Sequence, residues 1–358
     1  MMCPRALRRG RCHRTDIELV SSSTILLTGG CGFLGQHVTQ YLLDAFPEGR
    51  IRVIDLVANP FAYVDFSGEP RVETHLGLDI RDLASIQDAF QGVDVVVNLA
   101  SVVSPSLRSR DRLEEVNVVG TRNVLATAEA AGVDRFVQVS SAAALGYTDD
   151  PLTPADESFE FDWSIAHAKN KFYMLSKYRA DVEVEASRRN GLASVIVHPG
   201  LMFGPGDHHN TAKLIRSIKA GKVVASLPGG NNVVDVRDVG RGIVTILQQG
   251  VREGNYLLSG WNLTFDHIIR TIAAEVGARP PRMILPAGLR PLLYWTFWLA
   301  ESLNRRELDL SASDTDSAFR FRYFDNSKAK RALGWEPAYT FEHTIADALV
   351  WMESGGIA

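Results

Sequence analysis

The strongest candidates for chemistry in this chain are Tyr173 and Lys177, four positions apart in the segment KFYMLSKYRADVEVEA. On a helix, side chains at this spacing share one face. A free phenol has a pKa of about 10, and an ammonium at ~4 Å contributes up to ~4 kcal/mol at an effective dielectric constant of about 20. The pair is therefore predicted to lower the phenol pKa to about 7, so that Tyr173 can accept the proton of an alcohol.

A hydroxyl group that could hold the reacting oxygen comes from the strand before this helix. The segment FVQVSSAAALG carries two serines, and Ser141 is predicted to hydrogen-bond the substrate oxygen. Because ligands bind at the carboxyl ends of parallel strands, Ser141, Tyr173 and Lys177 can converge on one carbon beside a nicotinamide. We predict hydride transfer with these three as the catalytic residues, and Lys177 is also expected to hold the nicotinamide ribose.

The segment LLTGGCGFLGQHV carries Gly29, Gly32 and Gly35 between a strand pattern and a helical pattern. One glycine permits a tight turn, another lets the backbone approach a pyrophosphate, and a third lets the helix pack closely on the strand. Strand, glycines and helix in this order predict dinucleotide binding. Cys31 is interpreted as a small loop residue, not a redox centre.

Asp55 ends the second predicted strand, 20 residues after Gly35. A carboxylate there can accept hydrogen bonds from the adenosine ribose and would repel a 2′-phosphate, which favours NAD over NADP. The nearby Arg52 argues in the opposite direction. A solvated aspartate at a strand end is the alternative interpretation.

Short apolar runs alternate with helical patterns, which is typical of an α/β fold built on a doubly wound parallel sheet of the Rossmann type. The predicted strands are 24–29, 50–55, 71–77, 94–100, 135–141 and 193–200. The predicted helices are 35–45, 82–90, 111–131 and a long one around 163–190. Such a sheet would bring the glycine loop and the candidate catalytic residues to one edge.

The pattern changes after Gly200, where loops and helices surround later strands at 231–238 and 255–260. A smaller C-terminal substrate domain is therefore expected, interleaved with the first domain. The predicted division is a flexible basic extension over 1–22, an NAD-binding domain over 23–200 with 231–258 returning to it, and a mainly substrate-binding domain over 201–358.

Composition and charge exclude several classes of protein. With 358 residues and 46% hydrophobic side chains, the chain is typical of a soluble globular protein. Its net charge is −4, of which the first 15 residues contribute +5, so the acidic remainder makes a poor nucleic-acid binder. Cys3, Cys12 and Cys31 all lie in the first 31 residues, so disulfide bonds cannot cross-link the rest of the chain. A reducing, cytoplasmic location is therefore expected.

No apolar run reaches the ~18–20 residues that a membrane span requires. The segment PLLYWTFWLAESL, residues 291–303, is expected to form a buried or lid helix, and interfacial membrane contact is the alternative. His208 and His209 lack a second ligand cluster, so no metal site is predicted.

The chain resembles the extended short-chain dehydrogenase/reductase superfamily over about residues 24–353. The matching motifs are TGxxGxxG (28–35), Asp55, LDI (78–80), NLAS (98–101), NVVGTRNVL (117–125), VSS (139–141), YxxxK (173–177) and HPGLMFGPGD (198–207). Ser141, five residues before Gly146, matches the catalytic serine of that superfamily more closely than Ser140 does.

The resemblance implies further contacts to an NAD cofactor, made by Phe33, Leu34, Asp79, Ile80, Leu99, Ala100, Ser101, Pro199, Gly200 and Leu201. Of these, Asp79 and Ile80 are expected at the adenine and Pro199 to Leu201 near the carboxamide. Asn117 resembles a helix asparagine of the superfamily, with structural and catalytic roles both open. A homodimer through the helices at 111–131 and 163–190 is also implied.

Departures from the superfamily pattern concern the substrate. Sugar-nucleotide epimerases and dehydratases usually carry RP and YGP where this chain has His198-Pro199 and Phe203-Gly204-Pro205. They also tend to have an arginine for the diphosphate, where Asn231 and Asn232 stand here.

The C-terminal part resembles the 3β-hydroxysteroid dehydrogenase and dihydroflavonol-reductase-like branch, which implies an NAD-dependent oxidoreductase acting on a secondary alcohol or ketone of a bulky apolar, steroid-like substrate. Trp295, Phe297 and Trp298 would then line an apolar pocket, with core packing as the alternative. A sugar-nucleotide epimerase or dehydratase and a non-catalytic dinucleotide sensor are the competing hypotheses.

Overall fold

The computed structural model describes residues 23–58, 63–208, 210–303 and 311–356. The predicted basic extension over 1–22, with Cys3 and Cys12, lies outside the described residues, as does His209.

The strands of the described chain fall close to their predicted positions. They are β1 (Thr24–Thr28), β2 (Arg50–Asp55), β3 (Val72–Leu76), β4 (Val95–Asn98), β5 (Arg135–Val139), β6 (Ser194–Pro199), β7 (Leu201–Phe203), β8 (Gly230–Asp235), β9 (Gly254–Leu258), β10 (Trp261–Thr264) and β11 (Phe321–Arg322).

Seven of these strands form one parallel sheet in the order β3-β2-β1-β4-β5-β6-β9. The order reverses beside β1, where Leu27 pairs with Val53 of β2 on one side and Val97 of β4 on the other. This reversal is the topological switch point at which such sheets bind ligands. The predicted fold class, a doubly wound α/β sheet of the Rossmann type, is confirmed.

The helices connect and cover the strands. They are α1 (Phe33–Ala45), α2 (Leu83–Ile86), α3 (Arg110–Leu113), α4 (Thr121–Ala131), α5 (Trp163–Ala168), α6 (Phe172–Arg189), α7 (Thr211–Lys219), α8 (Val236–Gln248), α9 (Phe265–Glu275), α10 (Arg290–Leu303), α11 (Ala312–Ala318), α12 (Ser327–Leu333) and α13 (Phe341–Trp351). Short 3₁₀ or π segments lie at Gln87–Phe90, Leu107–Ser109, Glu114–Gly120, Ala142–Leu145, Ala287–Leu289 and Met352–Gly356.

The core lies on both faces of the large sheet. Leu27 faces a cluster with α1 and α8, whereas its neighbour Leu26 faces a second cluster with α4 and α6. Both residues are fully buried, because successive side chains of a strand point to opposite faces and both faces are covered. This explains why the strands are apolar on consecutive residues.

A smaller sheet is built around β8, which pairs antiparallel with β10 and parallel with β7 and β11. The segment predicted to return to the first domain is divided between the two sheets. β8 lies in the smaller sheet, whereas α8 packs on α1 and β9 joins the edge of the large sheet.

Three element predictions need correction. The helix predicted around 163–190 is interrupted between α5 and α6, because Asn170 adopts a left-handed conformation with φ of 51°. The strand predicted over 231–238 ends at Asp235, whose carboxylate accepts the Arg237 backbone N–H at 2.8 Å and caps α8. The helix predicted over 111–131 contains a π-helical segment, Glu114–Gly120, between α3 and α4.

The segment 291–303 is helical, as predicted, and lies within α10. The expectation that this helix is buried is wrong, because only Tyr294 and Glu301 are buried in it, and Trp295 is 59% exposed. Among the described residues, no helix combines the length and the apolar character that crossing a bilayer requires.

Candidate active site

The glycine loop between β1 and α1 is closely packed against backbone. Gly29 has φ of +64°, and a Cβ atom there would lie 2.7 Å from Ala100 Cα. A Cβ atom on Gly35 would lie 2.4 Å from the Gly30 carbonyl oxygen. Gly32 is the N-cap of α1 and provides no capping side chain, so the helix N-terminus is left available to an anion. These features fit a pyrophosphate, as the sequence predicts.

Asp55 at the end of β2 reaches back to this loop. Its Oδ2 atom accepts the Cys31 backbone N–H at 3.0 Å, and Oδ1 accepts that of Val57 at 3.4 Å. Burial raises the pKa of Asp55, and the hydrogen bonds from Val57 and Cys31 oppose that shift. The carboxylate therefore fixes the turn of the glycine loop, and its bond to the adenosine ribose stays a prediction.

The remaining predicted cofactor contacts lie at the same edge of the large sheet. Leu99 and Ala100 follow β4 and donate backbone N–H bonds to Thr28, at 3.1 Å to its carbonyl and 3.2 Å to its hydroxyl. Ser101 continues this loop, Phe33 and Leu34 begin α1, and Pro199, Gly200 and Leu201 run from the end of β6 into β7.

The predicted adenine end is an open cleft of about 410 Å³ lined by Asp79, Arg81, Asp82, Glu115 and Val119. Arg81 pairs with Asp79 at 2.6 Å and holds the pKa of that carboxyl below its ordinary value. Ile80 is buried beside the cleft, against Gly120. An ion-paired Asp79 at a cleft of this size is compatible with adenine binding.

Ser141, Tyr173 and Lys177 are brought together at the carboxyl end of β5. Ser141 follows the strand and accepts the Ala143 N–H at 3.2 Å, and its hydroxyl is close enough to Tyr173 to lower the pKa of the phenol. Lys177 lies one turn further along α6 and donates from Nζ to the Val139 carbonyl at 3.2 Å. The predicted catalytic residues thus share one site, with the strand supplying Ser141 and the helix supplying Tyr173 and Lys177.

The charge states of this site are set mainly by burial. Burial lowers the pKa of Lys177 to about 8, and the nearby carboxylate of Asp181 opposes that shift. Burial raises the pKa of Tyr173, whereas the Ser141 hydrogen bond and the positive charge of Arg322 lower it. The predicted contribution of the Lys177 ammonium to the phenol pKa stays a prediction, because in this structure Lys177 is held on Val139.

A polar network behind Lys177 was not predicted. Ser140 donates to Asp181 Oδ2 at 2.8 Å, and His198 Nε2 lies 3.0 Å from the same atom. Asp181 Oδ1 and His198 Nδ1 are buried, and neither has a hydrogen-bond partner in the described part of the chain. His198 was noted only as a departure from the superfamily, and its pairing with Asp181 could not be derived from local spacing.

This network predicts that Asp181→Asn moves the pH profile of kcat/KM for alcohol oxidation to lower pH. Asp181 raises the pKa of both Tyr173 and Lys177, so its neutralisation lowers both. Oxidation increases as Tyr173 loses its proton and decreases as Lys177 loses its charge, so both limbs move in the same direction.

Glu185→Gln is the matched control, because Glu185 lies one turn further along α6 and bonds Asn255. The prediction would be contradicted if the pH profile of kcat/KM stayed unchanged in Asp181→Asn, or if it moved equally in Asp181→Asn and Glu185→Gln.

A charged cluster on the other side of Tyr173 was also not predicted. Lys171 and Asp316 form a fully buried ion pair at 2.9 Å, and Arg320 bonds the same Asp316 oxygen at 3.0 Å. Next to this pair, the Tyr147 hydroxyl and Arg322 Nε are buried and lack hydrogen-bond partners among the described residues. β11 supplies Arg322 from far along the chain, which sequence spacing could not indicate.

Asn117 has a structural role in this arrangement. Its side chain accepts the Val102 N–H at 2.8 Å and donates to the Val102 carbonyl and to Ser176, each at 3.0 Å. The amide therefore ties the loop after β4 to α6. Within the described chain no group of three or more potential metal ligands occurs.

The fold and the site together define an NAD-dependent oxidoreductase of the extended short-chain dehydrogenase/reductase class. The family model described as "NAD dependent epimerase/dehydratase family" matches residues 25–258, and the chain belongs to this family. The protein is accordingly an enzyme that uses NAD and acts on CH–OH groups.

Curated relatives match nearly the whole chain. Sterol demethylase protein B of Methylococcus capsulatus is 30% identical, covering 93% of this chain and 99% of the relative. The 3-beta-hydroxysteroid dehydrogenase of Mycolicibacterium neoaurum is 25% identical, with 94% and 92% covered. The decarboxylating sterol-4-alpha-carboxylate 3-dehydrogenase of Bos taurus is 27% identical, with 93% of each covered.

Among solved structures, DesIV, a dTDP-glucose 4,6-dehydratase from Streptomyces venezuelae crystallised with NAD, has a TM-score of 0.73. The two chains are 24% identical, and 93% of this chain and 97% of that chain are covered. This likeness supports the fold.

Proposed function

We propose that the protein is a dehydrogenase of the 3β-hydroxysteroid type, which transfers hydride between NAD and a secondary alcohol on a bulky apolar, steroid-like skeleton. The observation that carries the proposal is the convergence of Ser141, at the end of β5, with Tyr173 and Lys177 on α6, where Lys177 bonds the Val139 carbonyl of the same strand at 3.2 Å. The sterol-related relatives support the apolar skeleton.

Each catalytic side chain has one role in the proposed reaction. NAD, when bound along the glycine loop, supplies the carbon that accepts hydride from the alcohol. Ser141 orients the substrate oxygen through its hydroxyl, and Tyr173 Oη takes the hydroxyl proton. Lys177, buried next to them, holds the ribose and adds positive charge beside the phenol.

Two polar groups that lack hydrogen-bond partners within the described chain, Arg322 Nε and the Tyr147 hydroxyl, suggest that the substrate carries an anionic group near the reacting alcohol. Arg322 lies close enough for its charge to lower the pKa of Tyr173. Tyr147 is almost fully buried, and its hydroxyl has no hydrogen-bond partner among the residues that the structure describes. Buried donors of this kind are costly unless a ligand satisfies them. A carboxylate on the carbon next to the alcohol would accept from both.

A carboxylate in that position also has a chemical consequence. Oxidation of the alcohol produces a ketone β to the carboxylate. The C–C bond to the carboxylate then breaks and carbon dioxide leaves. The electron pair of that bond stays on the product as an enolate. The enolate then takes up the proton released on oxidation. The Bos taurus relative is named as decarboxylating, which agrees with oxidation followed by loss of carbon dioxide.

A sugar-nucleotide epimerase or dehydratase remains the alternative, because a guanidinium also binds diphosphate. The asparagines at the usual arginine position are used structurally. Asn232 donates to Asn262 at 2.8 Å and accepts the Gly260 N–H at 2.9 Å. These bonds leave no role for Asn232 in holding a diphosphate, which favours the steroid-like substrate.

The test is a substrate panel read by NADH absorbance, in both directions, with 3β-hydroxysteroids, their 4-carboxy derivatives, hydroxyketones, and UDP- and GDP-sugars. We expect NADH from the steroids, with kcat/KM about 10- to 100-fold higher for the carboxylated ones because of a charged hydrogen bond.

In Arg322→Met this preference should disappear, and Arg322→Lys should restore part of it, because only the charge is retained. Interconversion of a sugar nucleotide without net NADH, together with no steroid turnover, would overturn the proposal.

A further inference from the structure

Helix α10 presents one face to the protein and the opposite face outward. On the inner face, Tyr294 is buried beneath Lys169, whose Nζ atom lies 4.5 Å from the ring centre. Glu301 is also buried, and its carboxylate accepts the N–H groups of Ala312 at 2.8 Å and Leu107 at 3.4 Å. These contacts fix the rotation of the helix about its axis.

The outer face of α10 is apolar and exposed. Leu292 is 63% exposed, Trp295 59%, Leu299 52% and Leu303 77%. Their spacing of three or four residues aligns them along one side of the helix. A row of large apolar side chains in water is costly, so a surface that covers them is indicated.

The apolar surface continues into the segment before α10. Met283 and Ile284 are about half exposed. Ser226 holds this segment by donating to the Met283 carbonyl at 2.8 Å and accepting the Leu285 N–H at 2.9 Å. We define the outer apolar face as Met283, Ile284, Leu292, Trp295, Leu299 and Leu303.

The outer apolar face is flanked by arginines. The segment 276–300, which contains every residue of this face except Leu303, has no Asp or Glu and carries Arg279, Arg282 and Arg290. Asp266, the acidic residue near Ser226, is paired with Arg270 at 2.7 Å. The whole chain has a net charge of −4, so this region is basic against an acidic background.

From this combination we infer that the outer apolar face docks on an anionic lipid surface, with α10 lying in the plane of the interface. A helix of this length extends about 21 Å, and its apolar side chains would enter the acyl boundary while the arginines remain at the headgroups. A second copy of the chain fits less well, because a symmetric contact would bring like charges together.

The first test is sedimentation of the full chain with phosphatidylcholine vesicles, with and without phosphatidylglycerol. We expect binding that requires phosphatidylglycerol and decreases with salt. Leu292→Ser/Leu299→Ser should lower the partition coefficient about tenfold or more, because each leucine loses its burial in the acyl region.

The matched control is Leu152→Ser/Val350→Ser, which removes even more exposed apolar side chains elsewhere and should bind like the parent. Equal binding by the parent and the Leu292/Leu299 variant would overturn the inference.

The second test separates lipid from protein as the occupant. Arg279→Gln/Arg282→Gln should lower binding to phosphatidylglycerol vesicles about 30-fold, since each of the two basic residues contributes about 1 kcal/mol near such a surface. The solution mass should be the same for the parent and the Leu292→Ser/Leu299→Ser variant without vesicles. If the solution mass of the variant were half that of the parent, the face would be a contact between two copies of the chain, and the inference would be wrong.

Discussion

Tyr173→Phe is expected to lower kcat for alcohol oxidation by about 10²- to 10⁴-fold, the range of a positioned general acid or base. The phenylalanine ring keeps the packing of the second residue of α6 but has no oxygen to accept the proton. Ser141 loses its partner, whereas Lys177 keeps its bond to Val139. The dissociation constant of NADH, measured by fluorescence, should therefore change little.

Tyr178→Phe is the matched control for this result. Tyr178 lies on the outer side of the same helix, where its ring stacks on Trp163 with centres 4.1 Å apart. Removing its hydroxyl should leave both kcat and NADH binding near the parent values. A Tyr173→Phe enzyme with parental turnover would show that another group accepts the proton, and Tyr147, whose hydroxyl is buried, would then be the group to test.

The parts of the site that the sequence predicted are those encoded locally. The glycine loop and the Tyr173–Lys177 pair each lie within a few residues on one strand–turn–helix or one helix, so spacing alone determines which side chains face one another. Ser141 could be assigned because the carboxyl ends of neighbouring parallel strands share an edge.

The parts that the sequence did not predict depend on contacts between distant segments. Lys171 bonds Asp316, His198 bonds Asp181, and the charge of Arg322, on a strand of the smaller sheet, lowers the pKa of Tyr173. No periodicity specifies such pairs, because each depends on how loops of the smaller domain return to the large sheet. The same limit applies to the interruption before α6, where a single left-handed residue, Asn170, ends one helix and allows another to start.

These long-range contacts change how the catalytic residues are interpreted. The sequence alone attributes the tuning of the Tyr173 pKa to Lys177, whereas the structure adds the charges of Arg322 and Asp181. Arg322 and Asp181 act in opposite directions on the phenol pKa. The pH dependence of the enzyme should therefore respond to substitutions at both positions, with opposite signs.

The second large effect is expected for Gly35→Ala, which should raise the dissociation constant of NADH by about 100-fold and destabilise the fold by about 1–3 kcal/mol. The added Cβ atom would lie 2.4 Å from the Gly30 carbonyl oxygen, a backbone atom that cannot rotate away. The loop must shift, and the N–H groups at the start of α1 are then no longer oriented to bind the pyrophosphate.

A graded series distinguishes this close approach from a general need for flexibility in the loop. In Gly32→Ala the Cβ atom would lie 3.1 Å from the Gly29 carbonyl, and in Gly68→Ala it would meet nothing within 4 Å. NADH titration and thermal unfolding should therefore rank the losses as Gly35 largest, Gly32 smaller and Gly68 negligible. Gly32 and Gly35 share one loop but differ in how closely an added Cβ atom would approach the backbone. If Gly32→Ala and Gly35→Ala weakened NADH binding equally, a need for loop flexibility would therefore be the better explanation.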